Sequence, residues 1–157
     1  MLLQNICAEF FVLLLSFIPW NRLVDVRNYK SFLFCYSLFN VLEVELALIN
    51  LLKNSSEALA GLPNPEIIVS TSQSEGNAVI SVKDNGRLYS QEEVQNFFQP
   101  LFTTKENGMG LGLTIVTHIV EEHGGRLNTF ANPNGGVTFQ LIFPLMNNLS
   151  WQFLNCP

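Results

Sequence analysis

Apolar positions recur along the chain with two different periods, and the switches between them mark out its elements. Leu3, Ile6, Cys7, Phe10, Leu13, Leu14 and Phe17 repeat at helical spacing, so residues 2–17 are expected to form a helix that Pro19 stops. Two β-like runs follow, RLVDV at 22–26 and SFLFCYS at 31–37. Asn40 and Glu43 carry the N-x-x-E spacing of a capping box and open a helix over 41–60, which Gly61 and Pro63 close. EIIVSTSQ (66–73) and AVISVKD (78–84) read as strands joined in a hairpin through SEGN. A short helix is expected near 91–97. A glycine-rich loop then leads into a helix over 111–123 that Gly124 and Gly125 end. RLNTFAN (126–132) and GVTFQLIF (136–143) complete the pattern as a hairpin through PNGG. The order helix, strands, helix, strands, helix, strands predicts an α/β (α+β) two-layer sandwich, one mixed sheet with its helices packed on one face.

Composition narrows the function classes. A chain of 157 residues is one domain by length, expected to run 1–157, and is long enough to bury a core. Apolar residues make up 48% and charged residues 13%, which excludes a disordered tail. The net charge of −5 argues against a nucleic-acid partner, because a phosphate backbone calls for a basic face. A compact polyanion such as ATP needs no basic surface if backbone N–H groups and a metal ion hold it. The most apolar stretch, residues 10–20, falls short of the ~20 residues that span a bilayer, so no membrane insertion is expected. It follows Glu9, without the basic region or cleavage site of a signal peptide. Cys7, Cys35 and Cys156 are odd in number and widely spaced, which reads as reduced thiols in a cytoplasmic protein.

Three short stretches carry candidate chemistry. In KENGMGLGLTIV, Gly108, Gly110 and Gly112 stand where a helix begins. Alone they fit a flexible loop. They also fit a phosphate cradle, with N–H groups aimed at oxygens and the positive end of the helix dipole beneath. Lys105, just upstream, is either a solvated loop lysine or within reach of a terminal phosphate. In NLLKN, Asn50 and Asn54 lie one turn apart on one helix face, where two middling helix formers need a reason. Both carboxamide oxygens can address one ligand, and amide oxygen suits Mg²⁺; the plainer alternative is a hydrogen-bonded surface pair. In VKDNGR, Asp84, Asn85 and Gly86 follow a strand as a turn would. A carboxylate there could also accept from the exocyclic amine of adenine.

The order of these pieces is more specific than any one of them. LINLLKNSSEAL, VKDNG, NFFQPLFTTK, GMGLGLTIVTHIVEEHGG and GGVTFQLIFP together resemble the ATP-binding catalytic domain of sensor histidine kinases. They are similar to its N box, first glycine box, F box, second glycine box and final strand. The resemblance spans residues 40–144, leaving 1–39 as an N-terminal helix and strands and 145–157 as a tail. It is nearest to the subgroup whose lid reads PFFTTK and whose N box reads NLLKNAIEA.

This resemblance implies the Bergerat fold shared with DNA gyrase, chaperone ATPases and MutL: a mixed, mainly antiparallel sheet with about three helices on one face. It implies ATP and Mg²⁺ as ligands. Asn54 would ligate the metal and Asn50 would support the phosphate side. Asp84 would read the adenine amine with Gly86 beside the base. Phe98 and Phe102 would anchor a lid in which Thr104, Lys105, Gly108, Gly110, Leu111 and Gly112 surround the triphosphate. In the gyrase-like relatives a glutamate stands four residues before the N-box asparagine and activates water. Here that position is Asn50, which cannot act as a base, so slow hydrolysis is expected.

Two positions depart from the pattern: Leu88 stands where DNGxG expects a second glycine, and Val137 where many relatives carry threonine, with Thr138 adjacent. The family's phosphoacceptor is a histidine on a separate dimerisation domain. His118 and His123 do not sit in such a context. The implied partners are therefore that domain, in the same parent protein or in trans, and a response regulator receiver downstream. Two other readings share the fold: a nucleotide-sensing or scaffold module that has lost catalysis, and an anti-sigma-type protein serine kinase.

Overall fold

The computed structural model describes residues 24–27, 41–98 and 111–145. Five strands form one sheet: β1 (Val24–Arg27), β2 (Ile67–Ser74), β3 (Asn77–Asp84), β4 (Arg126–Ala131) and β5 (Val137–Pro144), in the order β1-β2-β3-β5-β4. β1 runs parallel to β2 and every other neighbouring pair is antiparallel. The expected mixed, mainly antiparallel sheet is what forms. Among the described residues three helices accompany it: α1 (Val41–Ala58), α2 (Gln91–Gln95), continued by a 3₁₀ turn over Asn96–Phe98, and α3 (Gly112–Glu122). The helix expected over 2–17, the β-like run at 31–37 and the Asn40 cap lie outside the described residues. Among the described residues no helix is long and apolar enough to cross a membrane.

The period-two pattern of the strands fixes which sheet face the helices cover. Ile67 and Val69 of β2, Ala78, Ile80 and Val82 of β3, and Val137, Phe139, Leu141 and Phe143 of β5 are all buried. The register sets Val82 opposite Val69 and Phe139, and Ile80 opposite Leu141. Onto this face α1 lays Val44, Ala47, Leu48, Leu51, Leu52 and, just past its end, Leu59, while α3 adds Val116, Ile119 and Val120 and α2 adds Val94. One core results, with the helices on one side. The same alternation carries Asp84, the last residue of β3, onto the covered face.

Turn chemistry sets the register. Glu75 (φ 50°) and Gly76 (φ 73°) make the tip of the β2–β3 hairpin with both central residues at positive φ, the pattern of a type I′ turn. α2 opens with a capping box: Ser90 Oγ accepts from Glu93 N at 3.1 Å, and Glu93 Oε2 accepts from Ser90 N at 2.7 Å. Gln91 then covers the free edge of β4, accepting from Ala131 N at 3.1 Å and donating to Thr129 O at 3.2 Å. At the other end of α3, His123 is packed. Its Nδ1 donates to Ile119 O at 2.8 Å, Nε2 lies 3.5 Å from Glu43 Oε2, and the ring meets Phe143 edge-on at 6.2 Å.

Phe143 touches both layers, so Phe143→Ala should lower the unfolding free energy by about 3–5 kcal/mol, read as a shift of the urea midpoint at constant slope. A loss under about 1 kcal/mol would show that this residue is not in a close-packed core.

Candidate functional site

The site is built where three segments meet at one end of the sheet. Asp84, 3% exposed, stands at the end of β3 under α1. Its Oδ1 accepts from Gly86 N at 3.0 Å and from Val137 N at 3.1 Å, and its Oδ2 accepts from Ser55 Oγ of α1 at 3.0 Å. The main-chain oxygen of Asp84 is held as well, accepting from Asn132 Nδ2 at 3.0 Å. Burial pushes the Asp84 carboxyl above its ordinary value of 3.8, and the donors from Gly86, Val137 and Ser55 pull against that rise.

The PNGG turn is shaped around this carboxylate. Gly136 (φ +80°) lies so close that a Cβ there would overlap the Asp84 main-chain oxygen. Gly135 (φ +100°) passes close enough that a Cβ would fall 2.6 Å from Gly86 O. Gly136 N donates to Arg87 O at 2.8 Å, and Asn132 N donates to Gly136 O at 3.0 Å. Asn85 faces away from this corner: it accepts from Glu66 N at 2.8 Å and donates to Asn64 O at 2.7 Å, tying down the chain that enters β2.

The second half of the site lies one residue away on α1. A Cβ on Gly112, the first residue of α3, would sit 3.4 Å from Asn50 Oδ1 and 3.5 Å from Asn54 Nδ2. Gly112, the third glycine of that run, therefore lies against the two asparagines of NLLKN. Asn50 Nδ2 donates to Leu46 O at 2.8 Å, which turns its oxygen outward from its own helix. α3 begins at Leu111 with no side-chain cap, so the positive end of its dipole faces the carboxamides. Consecutive residues of α1 thus join the halves, Asn54 under Gly112 and Ser55 on Asp84.

Of the residues expected in the site, Asn50, Asn54, Asp84, Gly86, Leu111 and Gly112 are described and converge here. Phe102, Thr104, Lys105, Gly108 and Gly110 lie outside the described residues, as does the side chain of Phe98. Leu88 is 67% exposed, so the close backbone approach at this corner is made by Gly135 and Gly136. Thr138 does not stand in for a threonine at 137: strand alternation puts it on the opposite face, where its hydroxyl donates to Asn132 Oδ1 at 2.7 Å. His118 is exposed and pairs with Glu122 at 3.3 Å. Sequence reasoning missed Ser55, Asn132, Gly135 and Gly136. A serine within the apolar stripe of α1 was the one available signal.

These groups fit a nucleotide and a divalent cation. The corner at Asp84 offers an acceptor beside glycine backbone, and the Gly112 cradle, which a Cβ would fill, offers helix N–H groups beside neutral amide oxygens. Among the described residues no group of three His, Cys, Asp or Glu side chains stands ready to hold a metal. A Mg²⁺ here would share amide oxygen, phosphate and water, which suits its chemistry.

The family model for histidine kinase-, DNA gyrase B- and HSP90-like ATPases matches residues 40–147, and the chain belongs to that family. Within it, the chain carries the ATP-binding catalytic domain of a sensor histidine kinase. It is 36% identical over 103 residues to the sensor protein FixL of Bradyrhizobium diazoefficiens, covering 65% of this chain and 20% of that protein. It is 33% identical over 129 residues to sporulation kinase C of Bacillus subtilis, covering 82% of this chain and 29% of that one. The nucleotide-free catalytic domain of histidine kinase ThkA superposes with a TM-score of 0.65 at 30% identity, covering 87% of this chain and 88% of that domain. The chain thus spans under a third of the length of these two curated relatives.

The raised Asp84 carboxyl has a signed consequence for stability. The folded protein holds this proton more tightly than the unfolded chain, so stability falls as pH rises from 3.8 through the folded value. Asp84→Asn can keep the same partners, with its oxygen toward Gly86 and Val137 and its amide toward Ser55. The difference in unfolding free energy, variant minus wild type, should therefore grow with rising pH and then level off. A difference flat across the acidic range would contradict the burial of this charge.

Proposed function

We propose that the chain holds Mg-ATP in position for transfer of its γ-phosphoryl group to a histidine on a dimerisation domain outside residues 1–157, with a response regulator receiver as the next acceptor. The observation that carries this reading is the junction on α1: Asn54 lies beneath Gly112, and the adjacent Ser55 bonds Asp84. A base bound at one corner and phosphates bound at the other are thereby set on one rigid helix.

Each residue has a part. Asp84 accepts from the exocyclic amine of adenine and Gly86 lies beside the ring. Asn54 supplies an amide oxygen to Mg²⁺, and Asn50 supports the phosphate side. Lys105 approaches the terminal phosphate, while Phe102, Thr104, Gly108, Gly110, Leu111 and Gly112 close round the triphosphate. Bound magnesium neutralises charge on the phosphoryl oxygens; what the protein adds is positioning and exclusion of water. Asn50, held by Leu46 O, has no basic atom to activate water, so the phosphoryl group waits for its acceptor rather than being hydrolysed quickly. His118 lies exposed beside Glu122 and His123 is packed against Glu43, and neither stands in the sequence context of that acceptor. The unit acts in the cytoplasm of its parent protein, which itself is free to be membrane-anchored.

Asn54→Ala should remove the magnesium-dependent part of nucleotide binding, a loss of roughly tenfold or more in affinity at saturating Mg²⁺, with an unchanged melting curve. Calorimetric titrations with and without the metal read this directly. Equal magnesium dependence in variant and wild type would defeat the ligand role of Asn54.

A further inference from the structure

A carboxylate has about four lone-pair positions, and those of Asp84 can be counted. Oδ1 is filled by the N–H groups of Gly86 and Val137. Oδ2 takes the Ser55 hydroxyl at 3.0 Å and has one position left. A buried carboxyl with both donors on Oδ1 would carry any proton on Oδ2. That proton would invert the site, because Oδ2 would then donate and select a ring carbonyl where it had accepted from a ring amine.

Ser55 opposes the inversion. It is 1% exposed, set in the apolar stripe of α1. A serine inside a helix commonly turns its hydroxyl back to the carbonyl four residues earlier. This one reaches across to a residue 29 positions away. A buried hydroxyl must find a partner, and Ser55 donates to the oxygen of Asp84 that keeps an open acceptor position. Among the described residues the rest of the surround is neutral: Ala58 of α1, Gly86, Gly136 and Val137 pack there, and Asn132 holds the main-chain oxygen. The charged neighbours in sequence lie elsewhere. Lys83 is exposed, and Arg87 stacks 3.9 Å from the Tyr89 ring centroid while pairing with Glu93 at 3.3 Å.

We propose that Ser55 is a specificity-determining residue, which locks Asp84 Oδ2 as a hydrogen-bond acceptor so that the site takes a 6-amino purine over a 6-oxo purine. This rests on Asp84 as the base-reading group. Without the Ser55 hydroxyl the carboxyl takes its proton at higher pH, since that donor is one of the groups holding it down. Discrimination and binding should then both fail earlier as pH drops.

The test is calorimetric titration of the full chain with Mg-ADP and Mg-IDP, which differ at position 6 of the ring, from neutral to acidic pH. In Ser55→Ala the preference for ADP should fall roughly tenfold and the acidic limb of ADP binding should move to higher pH. Ser55→Thr, which keeps the hydroxyl, should restore both. A folded Ser55→Ala that binds with the wild-type ratio and the wild-type limb, or binds neither nucleotide, overturns the proposal. Asp84→Asn separates the two levels. If it collapses the ADP preference while Ser55→Ala does not, Ser55 alone is misassigned. If it leaves the preference intact, the reading of Asp84 itself fails.

Discussion

A single buried carboxylate sets the terms for this end of the molecule. Removing a charge from water is costly unless donors meet it, and three positions on Asp84 are met, by main-chain donors from two segments and a hydroxyl from a third. That requirement reaches backward into the sequence. It explains two successive glycines at positive φ, since a Cβ on Gly136 would overlap Asp84 itself. It explains the Asn132 carboxamide on the main-chain oxygen and a serine in the hydrophobic stripe of α1. A weaker set of donors would leave a neutral acid, which offers a ligand different chemistry.

Because α1 supplies both Ser55 and Asn54, the Asp84 corner and the Gly112 corner are not independent. The helix is anchored along its length by Leu48, Leu51 and Leu52 in the core, and near its start by contact between Glu43 and His123. Asn54 and Ser55 are therefore fixed in place by that packing. α3 meets it with an uncapped N-terminus at Gly112, so the elements that define the core also aim the polar groups. On the proposed reading, an acidic protein of net charge −5 holds a polyanion through backbone dipoles and neutral amides rather than through a basic face.

The architecture was largely legible from hydrophobic periodicity, since β2 and β3 alternate and α1 and α3 each carry one apolar stripe. The helix expected over 41–60 is observed as Val41–Ala58, and the pair of strands expected at 66–73 and 78–84 as Ile67–Ser74 and Asn77–Asp84. That Asp84, Asn50, Asn54 and Gly112 belong to one site was implied by the resemblance to histidine kinase catalytic domains, which the order of the motifs carries. The partners of Asp84 were not legible. Ser55 and Val137 lie 29 and 53 positions from it, and nothing local to either residue records the contact. PNGG reads as turn chemistry alone until the carboxylate it wraps is known. The S-x-x-E box at Ser90 was readable and went unread, whereas the covering of the β4 edge by Gln91 depends on tertiary placement.

The most direct test of the whole account is calorimetric titration of the wild-type chain with a non-hydrolysable ATP analogue, in the presence and absence of Mg²⁺. Saturable binding in the micromolar to submillimolar range that strengthens with the metal is the predicted result. A folded chain that takes up no heat from the analogue under either condition would contradict the claim that these residues form an ATP site.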